Sequence, residues 1–171
     1  MIISDKKYNL IYADPPWEVR KVVRRVRPGQ GRELDYPVMK LGDIKAMDVR
    51  GISEDDSALF LWTTHRWLPG ALEVMGAWGY KYLKCLTWDK GGGMCMHGFH
   101  MRTEILLFGY RGRLEAFPRR KALPTLLGGR GERHSEKPGE IRKMIEAFGD
   151  RRMELFARKE FEGWDAWGNE V

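Results

Sequence analysis

The sequence predicts an α/β fold with a mostly parallel central sheet and helices on both faces. Three observations carry this. Several short, almost wholly apolar runs end at proline or polar residues, as strands buried on both faces do. Two amphipathic helical patterns lie between them, and strand and helix signals alternate along the chain. In order, YNLIYAD (8–14) is a strand stopped by Pro15, and residues 42–48 suit a short helix. SALFLWTT (57–64) is a second strand. Residues 66–78 then place Leu68, Leu72, Met75 and Trp78 on one helical face, with Pro69 early and Gly79 just past the end. KYLKCLTW (81–88) and TEILLFGY (103–110) are strands. Residues 137–148 place Ile141, Met144, Ile145 and Phe148 on one helical face, with Ser135 as cap and Gly149 as stop, and RRMELFARK (151–159) closes the set.

No internal repeat or low-complexity linker divides the 171 residues, so one domain over 1–171 is expected. No run approaches the ~20 apolar residues of a membrane span. The opening MIISDKKYNL is too short and polar for a secretory signal. Two cysteines, Cys85 and Cys95, make no disulfide framework, which points to a reducing cytoplasm. Thirty basic residues against 24 acidic leave a net charge of +6, an excess that suits a polyanion. It is concentrated. Arg20, Lys21, Arg24, Arg25, Arg27 and Arg32 fall within residues 20–32 with no acid among them. A second basic run covers 111–133. Charge runs are usually solvated loops, but the first begins three residues after an unusual corner, DPPW (14–17), which favours a phosphate-binding rim.

Ligands of open α/β sheets bind beyond the carboxyl ends of the strands, where DPPW and THRW (64–67) both fall. In DPPW, Asp14 offers a carboxylate and Pro15 a carbonyl, two acceptors for an amine, and consecutive prolines hold both in fixed geometry. Trp17 offers a flat face on which a base could lie. The same residues also suit a plain turn with a core tryptophan, and local physics leaves both readings open. GGGM (91–94) and GGRGER (128–133) lack the spacing of phosphate loops and read as loops or gates. Cys95, His97 and His100 lack the second ligand pair of a zinc site, so no metal is expected. In GWDAWGNEV (163–171), two tryptophans suit a docked tail, while Asn169 and Glu170 suit the hydroxyls of a ribose.

DPPW, SEKP (135–138), ELFAR (154–158) and GWDAWGNE (163–170), in this order, resemble the adenine-N6 methyltransferase family. That family includes the catalytic subunit of the eukaryotic messenger-RNA adenosine methyltransferase and small phage and bacterial enzymes. The resemblance covers nearly the whole chain. It implies a Rossmann-like, S-adenosylmethionine-dependent fold in permuted order, catalytic motif first and much of the cofactor site last. Asp14 and the Pro15 carbonyl, framed by Pro16 and Trp17, would bind the adenine N6–H groups. Asp14 would also border the cofactor. Lys137 resembles the lysine that meets the cofactor's methionine carboxylate; Asn169 and Glu170 match the ribose and adenine contacts, with Phe156 and Arg158 beside them. Tyr36 resembles the family's gating tyrosine, and His65 with the basic loop falls on the substrate side.

The implied activity is methylation of adenine N6 in nucleic acid, DNA before RNA, in the cytoplasm of a bacterial, archaeal or phage-infected cell. Sequence recognition would come from the basic loops, a homodimer or a heteromeric partner, because no separate recognition domain or zinc finger is apparent. Only 13 residues precede Asp14, so the acidic cofactor contact that longer members carry upstream is expected to be absent or replaced. The rival readings are an inert nucleic-acid-binding scaffold subunit and a methyltransferase for another amine or amide. Both fit the intact DPPW and Lys137 less well.

Overall fold

The apolar run Tyr8–Ala13 forms strand β1, and its side chains alternate between two cores. Ile11 and Ala13 face one side of the sheet, Leu10 and Tyr12 the other. In the computed structural model, residues 4–18, 38–93, 95–117, 122–129, 137–168 and 171 are described, with the backbone alone at Met96. The further elements are α1 (Leu41–Lys45), α2 (Val49–Ile52), β2 (Ser53–Thr63), α3 (Leu68–Ala77), β3 (Lys81–Asp89), β4 (Cys95–Met96) and β5 (Phe99–His100). They continue with β6 (Thr103–Arg111), β7 (Leu126–Leu127), α4 (Gly139–Ile145), β8 (Arg152–Leu155) and β9 (Asp165–Trp167). Single 3₁₀ turns cover His65–Trp67, Leu114–Ala116 and Glu146–Phe148.

Seven strands form one sheet in the order β7-β3-β6-β2-β1-β8-β9. β1 pairs in parallel with β2 and β8, β8 with β9, and β3 with β7; β6 alone runs antiparallel, between β2 and β3. The expected mostly parallel sheet is present. Helices α1, α2 and α3 cover one face through Ile44, Val49, Ala71, Val74, Met75 and Trp78. On the other, Ile141 and Ile145 of α4 pack with Phe60, Phe108 and Trp164. Among the described residues no helix is long and apolar enough to cross a membrane.

Three expectations are corrected. Leu72 is exposed; Met75 and Trp78 are buried as expected, and Gly70, Ala71 and Val74 join them in place of Leu72. The last predicted strand stops at Leu155 because Phe156 takes a positive φ of 64°. The C-terminal tail is itself a strand, β9, as well as being docked by a buried Trp164. Gly139 opens α4 behind Pro138 with no side-chain cap, and Ser135 lies outside the described residues.

Candidate active site

Because β1, β2, β3, β8 and β9 all run the same way, their carboxyl ends share one edge. Ala13 is in register with Leu61 and Leu155, and Leu155 with Trp167. The reversed strand β6 brings its first residues to that edge: Thr103 pairs with Asp89 and Ile105 with Thr63. Strand ends from the beginning and end of the chain thus meet the start of a strand from its middle.

DPPW turns off this edge as a tight corner. The Trp17 N–H donates to the Pro15 carbonyl at 2.8 Å, and Met39 N–H donates to the Pro16 carbonyl at 2.9 Å. One lone pair of the Pro15 oxygen is therefore engaged, and among the described residues no second donor meets it. Of the two readings left open for Trp17, the ring takes the core position. It is buried at 7% exposure, its indole N–H donates to the Trp62 carbonyl at 3.1 Å, and Trp67 stacks on it at 5.8 Å. The Trp67 indole in turn donates to the Glu18 carbonyl at 2.8 Å. DPPW and THRW are locked by this exchange, each tryptophan bonding backbone beside the other's corner. The half-buried indole is Trp67, which the sequence leaves unassigned.

Lys137 is the electrostatic centre. Its ammonium lies 2.8 Å from Asp14 Oδ2, 3.2 Å from Glu104 Oε2 and 5.2 Å from the centre of the Trp62 ring. Its side chain is only 12% exposed. Burial alone would lower its pKa, but Asp14 and Glu104 together hold it above the ordinary lysine value. Burial likewise works to raise Glu104, yet Lys137 and Lys90, whose ammonium is 3.1 Å from Glu104 Oε1, hold that carboxyl below its usual range. The edge therefore carries an unbroken chain of alternating charges, Asp14–Lys137–Glu104–Lys90. Glu104 escapes sequence reasoning because a strand's direction is not written in its hydrophobic pattern, and Lys90 because it enters only as Glu104's partner. Read as one more parallel strand, TEILLFGY would put Glu104 at the far edge.

Next to this chain, Phe156 holds its left-handed backbone conformation at the exit of β8, with its ring edge-on to Trp167 at 5.7 Å. The Ala157 N–H donates to the Trp167 carbonyl at 3.0 Å. Gly168 packs so tightly there that a Cβ would collide with the Ala157 carbonyl. A non-glycine residue held at positive φ costs of order 1–3 kcal/mol and marks a backbone shaped for contact. Arg158 is exposed beyond this turn. His65 sits at the rim, its Nε2 2.7 Å from Thr103 Oγ1. Asn169, Glu170, Tyr36, Arg20, Lys21, Arg24, Arg25 and Arg27 lie outside the described residues. Among the described residues no cluster of metal-ligating side chains forms.

The mostly parallel seven-stranded sheet with a charged site at its carboxyl edge is consistent with the α/β methyltransferase class. Within that class the chain belongs to the MT-A70 family, whose profile matches residues 8–170. A similar protein is the type II methyltransferase M.MunI of Mycoplasma sp, 32% identical over 97% of this chain and 78% of the relative. The human N(6)-adenosine-methyltransferase catalytic subunit METTL3 is 27% identical over 96% of this chain and 28% of its own length. The Arabidopsis thaliana N(6)-adenosine-methyltransferase MT-A70-like protein is 27% identical over 96% of this chain and 24% of its own. The chain thus spans about a quarter of these two eukaryotic relatives and most of M.MunI.

Proposed function

We propose that this chain is an S-adenosylmethionine-dependent methyltransferase acting on N6 of adenine in DNA, with residues 1–171 as a single methyltransferase domain. The observation that carries the reading is the Asp14 carboxylate, fixed by two prolines at the sheet edge and bonded to a buried lysine. The residues present suit the cofactor. Lys137 offers a cation to an amino-acid carboxylate, and Phe156 with the backbone at Gly168 offers a shaped apolar turn; Arg158, Asn169 and Glu170 complete the donor and acceptor set. S-adenosylmethionine supplies a methyl group on a sulfonium that an amine can displace.

The chain's own part is to hold the amine. Asp14 Oδ1, which is not the oxygen bonded to Lys137, accepts one N6–H, and the second lone pair of the Pro15 carbonyl accepts the other. With both hydrogens engaged, the nitrogen lone pair is turned out of the base plane. Pro16 and the stacked Trp17–Trp67 pair keep the corner from relaxing, so positioning carries the rate. No covalent enzyme intermediate is required. In a duplex the adenine must leave the stack first, because pairing occupies its amino group.

DNA is favoured over RNA because the chain matches most of the type II methyltransferase but about a quarter of the N(6)-adenosine-methyltransferases. The acid-free run with Arg20, Lys21, Arg24, Arg25 and Arg27 is assigned to backbone phosphates, Tyr36 and His65 to the substrate side, and the cell compartment to the cytoplasm. The test is incubation with labelled S-adenosylmethionine and separate DNA and RNA substrates, then digestion to nucleosides. N6-methyladenine from DNA is the expected product. Label in cytosine, or in neither polymer, would overturn the reading.

A further inference from the structure

We propose that Phe99 is an intercalating wedge that fills the gap left in the duplex when the target adenine swings into the site; this rests on the nucleic-acid reading above. Residues Cys95–His100 form a two-stranded hairpin, with Cys95 paired to His100 and Met96 to Phe99. The turn residues His97 and Gly98 both have positive φ, 51° and 81°, the two-residue geometry whose twist matches the strands it joins. Phe99 stands at this turn 73% exposed, the most exposed of the large apolar side chains described. A single apolar ring carried at a stiff hairpin tip is the form that base-step wedges take.

The hairpin is anchored, which a wedge requires. Arg102 Nε donates to Asp89 Oδ1 at 2.6 Å, Lys90 N–H donates to the Arg102 carbonyl at 3.0 Å, and His100 Nε2 is 2.8 Å from the Gly93 carbonyl. Gly93 lies against the Met101 carbonyl with no room for a Cβ. The two legs therefore rise together from the β3–β6 pair at the edge that carries the site. Glu104, five residues after Phe99, touches Lys137, which touches Asp14. Between Lys90 and Thr103 there is no acidic residue, so nothing on the hairpin repels a phosphate chain, and His97 and His100 add two further rings.

The test compares wild type with Phe99→Ala and Phe99→Trp on a duplex that the wild type methylates and on the same duplex with the partner of the target adenine made abasic. Phe99→Ala is expected to lose about tenfold in kcat/KM on the paired duplex, the order of one lost base–aromatic stack. It should stay within about twofold of wild type on the abasic one, where flipping is already cheap. Phe99→Trp should behave as wild type on both. Equal losses on the two duplexes, or none, would overturn the proposal. Sedimentation showing a wild-type dimer that Phe99→Ala abolishes, with both rates unchanged, would overturn it in favour of a protein contact. A wild type that methylates single strands alone would also overturn it and leave the methyltransferase reading standing; no transfer to any nucleic acid would remove both.

Discussion

Replacing Lys137 with Met keeps the volume of the side chain and removes its charge. The ammonium contacts two carboxylates, at 2.8 and 3.2 Å, and is nearly buried, so the loss has two separable parts. Cofactor binding loses a charge-assisted hydrogen bond, about 1.5–3 kcal/mol, which corresponds to roughly a 10- to 150-fold weaker Kd. Stability loses the cation that Asp14 faces, whereas Glu104 retains Lys90 at 3.1 Å. The pH dependence identifies the second part. Lys137 is raised from 10.5, so its stabilising effect is full below pH 10.5 and drains only as pH climbs through its higher folded value. The Met variant should lack that alkaline decline in unfolding free energy. Calorimetry with S-adenosylmethionine measures the first part, and denaturant titrations between pH 8 and 11 (roughly the accessible range) measure the second. An unchanged cofactor Kd would remove Lys137 from the cofactor site. An unchanged alkaline limb would show that the two carboxylates do not hold the proton.

Asp14→Ala should cut single-turnover methyl transfer at least about tenfold through lost positioning of the amine, and should also lower stability, because the nearly buried Lys137 is left with Glu104 as its one carboxylate; a single-turnover rate near wild type in the folded variant would refute the amine-holding role. Glu104→Gln should remove an acid-side decline in stability: this carboxyl is lowered from 4.5, so its contribution is full above pH 4.5 and is lost as pH falls through the folded value, as urea titrations across that window would register. Arg142→Met should cost about 3–5 kcal/mol, because the buried Glu154 loses the guanidinium bonded to it at 2.9 and 3.1 Å. Adding Glu154→Gln should recover part of that loss, and a double variant as unstable as the single one would show that packing, not charge, is what the pair provides.

The central strands were legible because burial on both faces leaves an almost pure apolar run, as in Tyr8–Ala13 and Ala58–Thr63. DPPW stands out by residue type, Lys137 is singled out by family resemblance alone, and the structure brings Asp14 and Lys137 together at 2.8 Å. What was not legible depends on neighbours in space. Trp17 looks like an exposed platform until Trp67 is laid over it by a 3₁₀ turn fifty residues later. The Cys95–His100 segment looked like a failed metal cluster after a glycine gate. Its hairpin rests on His97 accepting a left-handed conformation, which Asn-Gly would have announced and His-Gly does not. β7 and β9 are too short, two and three residues, to show a period.

The reversal of β6 has an energetic consequence for the site. Withdrawing an ammonium from water costs several kcal/mol even after relaxation. One carboxylate at about 3 Å returns about 5–6 kcal/mol at an effective dielectric near 20. A single partner would therefore barely balance the burial of Lys137. Glu104 supplies a second attraction of similar size, at 3.2 Å, and reaches this edge only because β6 runs against its neighbours. With Glu104 also holding the cation, the amine-holding role proposed for Asp14 does not require Lys137 to leave or lose its charge. A sheet whose strands all ran one way would deliver strand ends alone to this edge; the one reversed strand delivers the second carboxylate that Lys137 meets.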